Sequence, residues 1–130
     1  EETRDPVKRA RKKEWIEMGM DAPTAREAVK EFTRTMVDMD KVLAAHPWIA
    51  GNTYSLADVA LSPYLNRLSM LSMDAFWQRY PNVSDWYRRI QMRPSFKPAL
   101  RDWVPDELAQ SLATNGARSW GKVEELIREG

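Results

Sequence analysis

The sequence predicts an all-α fold, and three observations carry that prediction. Apolar residues from Ala25 to Leu43 recur in alternating steps of four and three, which lines them along one helical stripe. No sustained period-two alternation bounded by turn signals marks a strand. Helix start and stop signals punctuate the rest of the chain, and their spacing predicts a bundle of about five to seven helices.

Asp5-Pro6 opens the first helix, because Asp accepts an orphan N–H and Pro fits the first helical position. Val7, Ala10, Ile16 and Met18 give it only a patchy apolar face as far as Gly19, which predicts a surface helix. Residues 1–22 read as a charged N-terminal helical segment of the single domain 1–130. Its basic residues, Arg4, Lys8, Arg9, Arg11, Lys12 and Lys13, are nearly cancelled by Glu1, Glu2, Asp5, Glu14 and Glu17, so the run reads as a solvated face. After Asp21-Ala22-Pro23, Thr24 and Glu27 have the spacing of a capping box and open the second helix. Its stripe is Ala25, Val29, Phe32, Met36, Met39 and Leu43. The helix should end near Ala45, since His46 precedes Pro47 and is pushed out of the α region.

Trp48-Ile49-Ala50 is a short apolar anchor before a Gly51-Asn52 turn. With Ser55 as N-cap, Asp58 is the third helical residue, so the two can exchange side-chain and backbone hydrogen bonds as a capping box. Tyr54 and Val59 then have the spacing of a hydrophobic staple. Leu61, Leu65 and Leu68 continue a buried face, with Tyr64 and Leu71 on its flank. Pro63 lies inside this helix and predicts a kink with a freed carbonyl near Val59, a cost of about 3 kcal/mol unless another group takes up that oxygen.

A bridging segment with Phe76, Trp77 and Tyr80 leads to Pro81-Asn82, which opens a helix burying Val83, Trp86 and Ile90. Arg93-Pro94 closes it, and Ser95 is placed to cap a short helix holding Phe96 and Leu100. Residues 103–130 read as a tail of two short helices, Asp106 to Thr114, ended by Asn115-Gly116, and Trp120 to Arg128.

Composition narrows the chemistry. The chain has no cysteine, which removes disulfides, thiolate metal sites and cysteine nucleophiles and fits a cytoplasmic location. Its 20 basic and 19 acidic residues are too balanced for a general nucleic-acid or membrane binder. No apolar run approaches the roughly 20 residues of a membrane span. His46 is the sole histidine, so no metal site is expected. Phosphate loops, dinucleotide fingerprints and nucleophile elbows are absent. Ser55 lacks a base, because Asp58 is better used on the backbone and His46 lies beyond a turn, so the pair reads as architecture.

The run W-I-A-G-N-T-Y-S-L-A-D-V-A-L-S-P-Y, Trp48 to Tyr64, resembles the signature of the C-terminal domain of glutathione S-transferases. Pro81-Asn82-Val83, Trp86, Arg89 and Arg93-Pro94-Ser95-Phe96 are similar to a second segment of that family. The resemblance implies an all-helical bundle packed on a thioredoxin-like N-terminal domain that carries the catalytic residue and most glutathione contacts. No βαβ pattern is present in this chain, so no catalytic residue is assigned to it. The family's first helix of this domain is either shortened to the Asp5 to Gly19 segment or lies upstream, and the D-P-x-x-R likeness at Asp5, Pro6 and Arg9 favours the second. The chain is then expected to be a fragment begun inside the domain.

The implied function is one wall of the pocket for a small electrophilic substrate, with glutathione as co-substrate and no metal. Tyr64, Arg67, Trp103 and Trp120 are the substrate-pocket candidates, each with core or surface packing as its alternative. Family members are commonly homodimers. The other implied function is a non-catalytic interaction module, as in helical domains of this type appended to translation factors or synthetases.

Overall fold

Asp5 accepts the Val7 N–H at 2.9 Å and starts α1, Pro6–Met18, which buries no residue. The computed structural model describes residues 5–130; Glu1, Glu2 and Arg4 of the charged run lie outside the described residues. A single 3-10 turn, Gly19–Asp21, joins α1 to α2, Pro23–Ala45. The remaining helices are α3, Leu56–Met70; α4, Ala75–Gln78; α5, Pro81–Gln91; α6, Phe96–Leu100; and α7, Asp106–Glu129. Among the described residues there is no strand, only a bridge in which Trp48 and Gly51 exchange backbone hydrogen bonds at 3.1 and 3.2 Å. Gly51 closes that turn at φ 140°, a conformation open to glycine and strained for other residues.

The core forms where α2, α5 and α7 meet, with α3 laid against α5 and α7. The α2 stripe buries Val29, Met36, Met39 and Leu43 and half-buries Ala25 and Phe32. Leu65 of α3 and Val83, Trp86 and Tyr87 of α5 are wholly buried. Tyr87 lies edge-on to Trp77, 5.0 Å away, and burial pushes its phenol above the ordinary tyrosine range.

Three expected details are corrected. Thr24 and Glu27 do not form the cap of α2; Ala22 is the N-cap, because Pro23 fits the first helical position and starts the helix two residues earlier. The Thr24 hydroxyl instead accepts the Trp15 indole N–H and holds α1 to α2. Ser95 already has helical angles and makes no capping bond. The tail is one 24-residue helix rather than two short ones. Asn115-Gly116 does not end it, because Gly116 is buried where the α7 backbone crosses the Leu71 carbonyl.

Candidate functional site

The opening of α3 is organised by one carboxylate. Asp58 is wholly buried, and its Oδ2 accepts the Ser55 N–H at 2.9 Å and the Ser55 hydroxyl at 3.2 Å. Its Oδ1 accepts the Ile49 N–H at 3.0 Å and the Trp86 indole N–H at 2.7 Å. One side chain thus joins the Trp48–Gly51 turn, the start of α3 and the centre of α5. Four donors leave its lone pairs committed to structure, which is the opposite of a poised base.

Pro63 deprives the Val59 carbonyl of its helical donor, and the Ser62 hydroxyl supplies another at 3.2 Å. The helix runs from Leu56 to Met70 without interruption. Ser62→Ala should lower stability by about 1 kcal/mol. Thermal melts against the parent check this, and an unchanged midpoint would show that the hydroxyl contributes nothing.

One face of α3 is left uncovered. Leu56 is 83% exposed, Val59 46% and Tyr64 56%, and Ala60, Pro63 and Arg67 share this exposed side. Val59 and Pro63 also form one wall of a groove of about 380 Å³, whose other walls are Tyr54, Ile90, Arg93, Phe96 and Ala99. The Tyr54 ring meets Trp48 edge-on at 5.3 Å and carries the Arg93 guanidinium 3.5 Å above its face. Tyr54 and Val59 therefore line the same groove.

The four substrate-pocket candidates are not brought into one cluster. Tyr64 and Arg67 lie on neighbouring turns of α3, and Tyr64 packs edge-on against Phe32 at 5.9 Å. Trp103 is exposed and donates its indole N–H to the Ala99 carbonyl at 2.9 Å. Trp120 is half-buried against the core. No hydrogen bond or ring contact joins these four residues to one another among the described residues. No group of three or more His, Cys, Asp and Glu that could hold a metal occurs among the described residues.

Two structural anchors escaped sequence reasoning. Asp40, on α2, accepts the N–H groups of Asn82 and Val83 at 2.9 and 3.3 Å and caps α5 from another helix. The stacking of Arg89 and Arg93 on Trp48 was equally hidden, since it joins residues about forty positions apart. No local pattern announces either. Among the described residues no helix is long and apolar enough to cross a membrane.

Comparison with known proteins sets this geometry in a family. Residues 14–89 match the family model described as glutathione S-transferase, C-terminal domain. The chain is similar to the tetrachloro-p-hydroquinone reductive dehalogenase of Sphingobium chlorophenolicum, with 37% identity over 61% of this chain and 32% of that protein. It is also similar to the disulfide-bond oxidoreductase YfcG of Escherichia coli, with 37% identity over 48% of this chain and 28% of that protein. The FtsZ-localized protein A of Caulobacter vibrioides is 31% identical over 52% of this chain and 29% of its own length. The chain thus spans about a third of the length of these curated relatives. No solved structure gives a match. The match over residues 14–89, on an all-helical bundle, establishes that the chain belongs to the glutathione S-transferase C-terminal domain family.

Proposed function

We propose that this chain is the helical part of a glutathione-dependent enzyme and forms one wall of the pocket for its electrophilic substrate. The exposed apolar side of α3 carries the reading: Leu56, Val59 and Tyr64 face outward from a helix whose opposite side, at Leu65, is wholly buried. A soluble helix leaves such a stripe uncovered where something else packs on it. The occupant in this reading is an upstream thioredoxin-like domain, which binds glutathione and supplies the thiol-activating residue. Tyr64 and Arg67 then border the space between the two parts. Tyr64 offers a ring to an apolar substrate, and Arg67 offers a charge to a polar substituent.

The test compares this chain with the product of its gene extended upstream. The 130-residue chain alone should give no conjugation of a chloronitrobenzene with glutathione above the uncatalysed rate, whereas the extended protein should turn over. In that protein Tyr64→Ala should raise the KM for the electrophile about tenfold and leave that for glutathione nearly unchanged. Turnover by the chain alone, or an effect of Tyr64→Ala confined to glutathione, would count against the proposal. The likeness to a protein named for its localisation with FtsZ favours a second reading, a non-catalytic interaction module. An extended protein that folds, lacks turnover and binds a partner through α3 would support that reading.

A further inference from the structure

Along the sequence the acids and bases of α1 nearly cancel, but in the fold they are not used alike. Asp5 accepts the Val7 N–H, Glu17 pairs with Lys13 at 3.8 Å, and Asp21, just beyond the helix, pairs with Lys122 at 3.1 Å. Glu14 turns toward α2, where it accepts the Thr24 hydroxyl at 3.5 Å. Lys8, Arg11 and Lys12 are exposed and meet no carboxylate among the described residues. They stand seven, four and three residues before Trp15 and so share its side of the helix.

At the foot of this strip the chain turns through Gly19 and leaves a cleft of about 330 Å³ between α1 and α2. Trp15, Gly19, Met20, Ala25, Ala28 and Val29 line it. The one polar group these side chains carry is the Trp15 indole N–H, and Thr24 already accepts it. The helix above is bare, since it buries no residue and leaves Val7, Trp15 and Met18 exposed. An apolar cleft beside a row of like charges leaves two demands unmet. The cleft has no apolar side chain to fill it, and the three cations repel one another along about 10 Å of helix.

The combination decides the class of partner. A small molecule reaches the cleft or the far cation but not both, because Lys8 lies about 10 Å from Trp15 along the helix axis. A nucleic acid offers phosphates to the cations but no aliphatic anchor to the cleft. A lipid surface calls for a continuous apolar face, and Lys8, Arg11 and Lys12 interrupt this one. A peptide with carboxylates along its length and one bulky apolar residue meets both demands.

We propose that the outer side of α1 and the α1–α2 cleft form a docking surface for an acidic peptide segment of a partner protein. Its carboxylates lie along Lys12, Arg11 and Lys8, and its apolar anchor, of leucine or phenylalanine size, fills the cleft beside Trp15. The surface shares no residue with the exposed side of α3 and stands independently of the proposed glutathione chemistry.

The probe is the blocked peptide DEDEELF, titrated into the chain by calorimetry and by amide chemical-shift mapping. It should bind about tenfold or more tightly than KKKKKLF, which reverses the charge, or DEDEEGG, which lacks the anchor. Shifts should concentrate at Arg11, Trp15, Met20, Ala25 and Ala28, and affinity should fall as salt is raised. Replacing the three cations together, Lys8→Gln, Arg11→Gln and Lys12→Gln, should weaken binding about tenfold and flatten the salt dependence. Ala28→Trp fills the cleft from an exposed position and should abolish binding in a chain that still melts cooperatively. The protein extended upstream should bind the peptide with unchanged affinity; a folded extended protein that does not would show that its own upstream segment covers the cleft, and the proposal would fall. Equal affinity for the three peptides, shifts confined to α3, no saturation by about 1 mM peptide, or tighter binding of oligothymidylate or phosphatidylglycerol vesicles than of DEDEELF would each overturn it as well.

Discussion

Asp58→Ala is expected to lower the unfolding free energy by about 4 kcal/mol, a large share of the roughly 5–15 kcal/mol that holds a domain of this kind together. The change leaves the Ile49 and Ser55 N–H groups and the Trp86 indole N–H without their acceptor. The site is wholly buried, so water does not replace the lost oxygens at no cost. Asp58→Asn should be nearly as harmful although it keeps the shape. Each carboxylate oxygen accepts two donors, so either orientation of the amide turns its NH2 group toward two N–H or O–H groups. Trp86→Phe removes a single donor and replaces the indole by a smaller ring, leaving a small gap in the core, and should cost about 2–3 kcal/mol. Urea unfolding of the three variants orders them, with the midpoint falling least for Trp86→Phe. An Asp58→Asn chain as stable as the parent would show that the carboxylate is not the node described. In a catalytically complete protein, a variant that kept its melting temperature but lost turnover would instead place Asp58 in the chemistry.

That node also marks how far the sequence could be read. The Ser55 to Asp58 spacing is local, and a helix start can be inferred from two residues only three positions apart. The partnership of Asp58 with Trp86 spans 28 residues and depends on how α5 packs on α3. Periodicity showed that Trp86 faces inward, but it says nothing of where an indole N–H finds its acceptor. The same division runs through the candidate site. Tyr54 and Val59 were paired by their distance from the cap, whereas Arg93 joined them only when α5 and α6 folded back over α3. Thr24 and Glu27 show the converse error, since a correct local pattern yielded to a better one when Pro23 took the first helical position. At Asn115-Gly116 the stop signal had a tertiary meaning, because glycine served a helix crossing.

That crossing gives the second large effect, and its sign reverses within one helix. A Cβ on Gly116 would lie 1.9 Å from the Leu71 carbonyl oxygen and 2.7 Å from its Cα. Those atoms are backbone, so no side chain can swing aside, and α7 must move away from the end of α3. Gly116→Ala should therefore destabilise the chain by about 3 kcal/mol, although alanine is the better helix former. Gly121 sits in the same helix with nothing within 4 Å of where its Cβ would be. There the helix preference acts alone, and Gly121→Ala should stabilise by roughly 0.5–1 kcal/mol. Paired thermal melts test the contrast, with amide shift changes at Leu71 expected only for Gly116→Ala. If both substitutions raised the midpoint, α7 would not be pressed against Leu71, and its packing on α3 would need another account. If both lowered it, the helix would not be continuous through Gly121. Opposite shifts require a single helix that passes Leu71 at contact distance and is open to solvent about one turn later.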